Sequence, residues 1–175
     1  MKLAIIMPVY NGQDTVRRAV TSIDTKVEFE IICINDGSTD NTKHELTELQ
    51  KEFPNIKVIH QENQGAARSR NVGLAAMDDD TDAFMFLDAD DQYLPSRIDA
   101  MIQTYENHEE TDIVIGQIGR DVHGEWKVFP THEEIKRDEV VTLERNPEIL
   151  QSIGPGGKLF SAKFVSLRFD EDVVF

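Results

Sequence analysis

Leu3-Ala4-Ile5-Ile6-Met7-Pro8-Val9-Tyr10-Asn11-Gly12 sets an unbroken apolar run directly against a polar, turn-forming stretch. Leu3–Met7 lacks the two-residue alternation of a half-solvated strand and is too short for a helix, so it reads as a strand covered on both faces. Pro8 is expected to end it, and the run is far too short to span a membrane. Similar runs return at Phe29–Ile34, Ile56–Ile59, Ala83–Leu87 and Asp112–Ile115. Between them, apolar residues fall at helical spacing. Val16, Ala19, Val20 and Ile23 form one such face, and Thr42, Leu46, Leu49 and Phe53 a second that Pro54 closes. Ala66 to Met77 is an Ala-rich helix, and Ile98, Met101, Ile102 and Tyr105 mark a fourth. Buried strands alternating with amphipathic helices predict an α/β fold, a mainly parallel sheet flanked by helices.

Beyond Gly116 the alternation weakens. Asp121–Trp126 around Gly124 predicts a hairpin, and Asn146-Pro147-Glu148 reads as the opening of a short helix. The 175 residues suit one domain, 1–175. Hydrophobic and charged shares of 39% and 29% are those of an ordinary globular protein. The formal charge of −15 and the scatter of its 18 Lys and Arg exclude a nucleic-acid partner. Asp78-Asp79-Asp80 with Asp82 reads as solvated loop. The single cysteine, Cys33, lies in an apolar run and is expected to be a buried hydrophobe in a reducing compartment. With no signal peptide or membrane span recognisable, the expected location is cytoplasmic or peripheral at the cytoplasmic membrane face.

A parallel sheet binds ligands outside the carboxyl ends of its strands. Here those ends read Pro8-Val9-Tyr10-Asn11-Gly12, Asn35-Asp36-Gly37-Ser38-Thr39-Asp40, Asn63-Gln64-Gly65 and Asp88-Ala89-Asp90-Asp91. Taken alone, Asp36-Gly37-Ser38 could equally turn the chain and cap a helix, and Asn63-Gln64-Gly65 could be only a helix entry. Asp88 and Asp90, spaced by one, can address the same object from one strand face. Two adjacent carboxylates repel unless a cation lies between them, and an oxygen-loving divalent metal is the natural partner.

These four segments, with Ser69-Arg70-Asn71-x-Gly73, resemble in order the motifs of family 2 glycosyltransferases. The similarity resumes more loosely at Gly157-Lys158-Leu159-Phe160 and Arg168-Phe169-Asp170-Glu171. The resemblance implies the Rossmann-like GT-A fold and a nucleotide-diphosphate sugar, probed at Pro8, Tyr10, Asp36, Asn63, Gly65, Arg70, Asp88 and Ala89. Tyr10 would pack on a flat nucleobase, Asp36 would accept from the imide N–H of uracil, and Asn63 would add a polar contact near the base. Arg70 would fix the base or the carboxylates around it. Asp88 would reach the ribose or the metal shell, and Asp90 would bind Mn²⁺ or Mg²⁺ directly on the diphosphate. The resemblance thus implies a donor-binding half at 1–100 and the start of an incomplete acceptor-side half at 101–175. The expected reaction is inverting transfer to a hydroxyl of a saccharide or lipid-linked acceptor, such as a wall or capsule polymer.

Two departures follow. Asn35 stands where the family often has a first aspartate. The Glu-Asp pair that supplies the general base is expected just beyond Phe175, with Asp170, Glu171 and Asp172 as weaker substitutes. A non-catalytic nucleotide-sugar-binding module is the rival reading. A phosphotransferase using Asp88 is disfavoured, because the pair follows the fourth strand and Gln92 replaces the hydroxyl residue that chemistry wants.

Overall fold

The computed structural model describes residues 1–133, 139–142, 144–146, 154–166 and 169. Eight strands and four helices follow in the order β1 (Lys2–Val9), α1 (Val16–Thr21), β2 (Glu28–Asp36), α2 (Thr42–Glu52), β3 (Ile56–Gln61), α3 (Ala66–Ala75), β4 (Ala83–Phe86), α4 (Arg97–Glu106), β5 (Ile113–Ile115), β6 (Gly119–Val122), β7 (Glu125–Val128) and β8 (Lys158–Ser161). Six strands form one sheet in the order β3-β2-β1-β4-β8-β5, and β6 and β7 pair as the expected hairpin. The fold is α/β with a mostly parallel sheet, the GT-A arrangement.

Residue parity along the strands sorts the core. Leu3, Ile5, Met7 and Val9 pack with α1, α2 and α4, whereas Ala4, Ile6, Ile32, Ile34, Phe84 and Phe86 face α3. Leu3 through Met7 are fully buried, as expected of a central parallel strand, and each large side chain there contributes roughly 1.5–3 kcal/mol. Cys33 is fully buried too, and desolvation pushes its thiol up to about 12, so it behaves as a hydrophobe.

Pro8 does not end β1, which continues to Val9 with Pro8 opposite Ile34. The reason lies in β4. The Ile6 carbonyl accepts from Leu87 N–H at 3.1 Å on the β4 side, and two residues on, the proline nitrogen points to that same side. By then β4 has left the ladder, so no hydrogen bond is lost. Other boundaries shift modestly. Ile23 lies past α1, α3 stops at Ala75 before Met77, β3 runs on to Gln61, and β5 begins at Ile113.

β8 was not anticipated as a strand. It inserts antiparallel between β4 and β5, pairing Met85 with Leu159 and Val114 with Leu159. Its sequence, Lys158–Ser161, has too short an apolar pattern to announce a sheet position. The helix expected from Asn146-Pro147-Glu148 lies outside the described residues beyond Asn146. The acidic stretch is not merely solvated. Lys2 Nζ pairs with Asp78 at 2.8 Å and Asp80 at 2.6 Å, Lys57 pairs with Asp78 and Glu30, and Lys2 N–H donates to Asp82. Hydrogen bonds from the two lysines hold the Asp78 carboxyl down at about 2.

Helix α3 lies close on the sheet at Gly73, where an added Cβ would overlap Ile6 Cγ2 and stand 3.0 Å from Ile34 Cδ1. Gly73→Ala should gain about 1 kcal/mol of helix propensity yet lose more, because overpacking a filled core costs about 1–3 kcal/mol. A lowered thermal midpoint is expected; an unchanged or raised one would show that α3 can move off the sheet freely.

Candidate nucleotide-binding site

The parity that buries Ile6, Ile34 and Phe86 against α3 carries two residues on to Pro8, Asp36 and Asp88. All three thus reach the α3 side of the sheet at its carboxyl edge. There they line a cavity of about 450 Å³ with Tyr10, Ala66, Ser69 and Arg70. That volume is in the range of small-molecule sites, roughly 300–1,000 Å³.

The walls are loops tied to one another. Asn11, at φ 52°, accepts Thr39 N–H through Oδ1 at 2.9 Å, and its own N–H donates to Ser38 Oγ at 3.0 Å. Gly12 N–H donates to the buried Thr42 hydroxyl at 2.8 Å, Gln13 N–H donates to Asp40 Oδ2 at 3.2 Å, and Gln13 Oε1 accepts Asn41 N–H at 2.9 Å. Burial works to raise the Asp40 carboxyl, but hydrogen bonds from Thr42 and Gln13 outweigh it and hold it below its ordinary value. Tyr10, at the head of this braced loop, leaves 54% of its surface exposed, enough for a flat ligand to cover the ring.

Asp36 is only 3% exposed and accepts three protein hydrogen bonds. Oδ1 takes Gln61 Nε2 at 2.7 Å and Gln64 N–H at 2.9 Å, and Oδ2 takes Gly65 N–H at 2.8 Å. A carboxylate offers about four acceptor positions, so one remains for a ligand. Gln61 also donates to Ser69 Oγ at 3.2 Å, joining the end of β3 to α3. Asn35 caps the same turn by accepting Ser38 N–H at 3.1 Å, a task an amide oxygen performs as well as a carboxylate. The loop after β3 crosses so near Gly37 that a Cβ there would stand 2.6 Å from Asn63 N. Asn63 and Gly65 therefore sit beside Asp36 and do not line the cavity.

Asp88 and Asp90 both line it, but not as alternate residues of a strand. β4 stops at Phe86, and the Asp91 N–H to Asp88 carbonyl bond of 3.0 Å folds Asp88–Asp91 into a turn. Arg70 Nη2 donates to Asp88 Oδ1 at 2.6 Å, with the Arg70 side chain only 12% exposed, so this is no surface ion pair. Arg18 reaches only the Asp90 carbonyl, at 3.1 Å. Among the described residues no group hydrogen-bonds the Asp90 carboxylate. Desolvation, then repulsion from Asp88 and Asp90, raises Asp91 above its ordinary value. The described residues hold no cluster of three or more metal-ligating side chains. Ala89 lines the cavity between the two aspartates.

Over residues 4–170 the chain matches the model of the family described as glycosyl transferase family 2. The chain belongs to that family. It is 39% identical over 175 residues to TagX of Staphylococcus aureus strain N315, a protein named as a glycosyltransferase, covering 98% of this chain and 50% of TagX. To YibD of Escherichia coli K12, named an uncharacterized glycosyltransferase, it is 32% identical over 138 residues, covering 74% of this chain and 38% of that one. The chain thus spans about half the length of TagX. Among solved structures, residues 1–349 of S. aureus TarS in complex with UDP-GlcNAc superpose with a TM-score of 0.76 at 24% identity, covering 94% and 46% of the two chains. The mannosyltransferase PcManGT of Pyrobaculum calidifontis, in complex with GDP-Man and Mn²⁺, gives 0.59 at 16% identity, covering 67% and 35%. These likenesses are of fold.

Sequence reading missed Asn11, Gln61 and Ser69 as parts of the site. Each was present in a quoted motif or at a strand end, but their partners lie eight or more residues away. For this family 2 chain, Asp36→Asn should leave one donor, such as Gly65 N–H, facing an amide NH₂. Loss of a charge-assisted bond there should cost about 1.5–3 kcal/mol in urea denaturation. Wild-type stability would mean that the three contacts to Asp36 are not formed in solution.

Proposed function

We propose that this chain binds the nucleotide-sugar donor of a glycosyltransferase that moves a sugar from a UDP-sugar to an acceptor hydroxyl with inversion. The observation that supports it is a single cavity at the carboxyl edge. It joins a half-exposed aromatic ring, a carboxylate with one acceptor position left, and an acidic turn with an unpaired carboxylate. TarS crystallised with UDP-GlcNAc and UDP supports a uridine donor. In this reading Tyr10 covers one face of the base above Pro8, and Asp36 accepts the imide N–H of uracil. Asn63, packed on Gly37, stands next to that base contact. Arg70 holds Asp88 in one orientation, leaving Oδ2 open.

Asp90 and Asp88 suit Mn²⁺ or Mg²⁺. The chain pairs Asp78 and Asp80 with lysines, whereas the Asp90 carboxylate has no described partner. A site of few carboxylates fits a metal that completes its shell with water and phosphate. When bound, such a metal would neutralise charge on the departing diphosphate. The acceptor class we infer is a polysaccharide, glycolipid or wall or capsule polymer.

Two measurements test this. Asp90→Asn should weaken Mn²⁺-dependent UDP binding by about 2 kcal/mol, and equal calorimetric affinity with Mn²⁺ and with EDTA would remove the metal from the reading. UDP should outcompete CDP, since cytosine has no imide N–H for Asp36 and leaves it short of a donor, a difference of about 1–3 kcal/mol. CDP equal to UDP, or GDP ahead of both, would show that Asp36 does not read the base.

A further inference from the structure

Asn71 follows Arg70 on α3 but faces away from the cavity. It is 8% exposed, and its amide reads both backbone groups of a residue 98 positions later. Nδ2 donates to the Phe169 carbonyl at 3.0 Å, and Oδ1 accepts Phe169 N–H at 2.8 Å. One side chain thus serves Phe169 as a strand neighbour would, satisfying a donor and an acceptor that are partly withdrawn from water.

The pair fixes where the Phe169 ring lies. It meets Phe86 edge to face, with centroids 5.2 Å apart at 88°. Arg70 Cζ stands 5.6 Å from the same ring's centroid, so the guanidinium rests on its face. Nη2 of the same guanidinium donates to Asp88, two residues beyond Phe86. Successive helix residues project about 100° apart, so Asn71 cannot itself reach what Arg70 reaches. Both contact Phe169, Asn71 at its backbone and Arg70 at its ring.

We propose that Asn71 is a positioning residue for the carboxylate side of the nucleotide site, acting through the Phe169 ring on which Arg70 rests. An arginine side chain has many rotamers, and an aromatic face on one side with a carboxylate on the other selects one. Release Phe169, and the guanidinium regains water and rotamers, and Asp88 loses its fixed partner. The base contacts at Tyr10 and Asp36 do not pass through this path. The inference rests on the donor-site reading above, and it divides the ligand in two: phosphate affinity depends on Asn71 and nucleoside affinity does not.

The test is a binding series with UDP plus Mn²⁺ and with uridine, by calorimetry and ligand-observed NMR. Variants are Asn71→Ala, Phe169→Leu, Arg70→Ala and the double Asn71→Ala/Arg70→Ala. Asn71→Ala should weaken UDP on the order of tenfold and leave uridine unchanged, with little further loss in the double variant because both act on one path. Phe169→Leu keeps the backbone bonds and an apolar contact with Phe86 but removes the aromatic face, and should reproduce the UDP-selective loss even if Asn71→Ala folds poorly. Equal loss of UDP and uridine, full additivity with Arg70→Ala, or wild-type UDP affinity in Phe169→Leu would overturn the inference alone. Failure of the unaltered chain to bind either ligand would overturn the donor-site reading, and this inference with it.

Discussion

A strand covered on both faces has no place for a polar side chain except its ends. The central residues of β1 and β2 are apolar and buried, so polar groups are driven to the two ends of these strands. Parallel pairing then brings those ends level, because Ile6 lies beside Ile32 and Phe86 in one register. The cavity follows from that alignment. Pro8, Asp36 and Asp88 share a face because each is an even number of residues from a side chain buried against α3.

Within that edge, carboxylates are divided between holding the fold and facing the cavity. Asp40 braces two loops, and Asp36 gathers the loop after β3 while keeping one acceptor position. At the opposite edge, Lys2 and Lys57 neutralise the acidic stretch that reads as surplus charge in the sequence. Asp90 and Asp91 form no such ion pair among the described residues, and desolvation, then repulsion from Asp88 and Asp90, raises the Asp91 carboxyl. The lack of a paired lysine distinguishes this acidic run from the other, although the two look alike as sequence.

Arg70 links the two halves of the molecule. Its guanidinium lies between Asp88, which belongs to the alternating first hundred residues, and Phe169, which arrives from the far end of the chain. The same end enters the sheet through β8, antiparallel between β4 and β5. The later residues therefore complete both the sheet and the support of the site. This chain covers about half the length of TagX.

Composition and periodicity were enough to establish the α/β class, the hairpin and five strands of the main sheet, because burial on two faces leaves an apolar run. Which segments hold the site was also legible, since strand ends are polar by necessity in such a sheet. The fate of each group there was not. That Gln61 and two backbone N–H groups occupy Asp36, that Asp88 and Asp90 lie in a turn, and that Asn63 stands outside the cavity depend on partners distant in the chain. β8 escaped for a related reason: four residues with one central apolar pair become a strand only when β4 and β5 stand on either side. Sequence records what a residue can bond to; only the tertiary structure decides which bonds are left over for a ligand, because each acceptor position filled by the fold is one that the ligand cannot use.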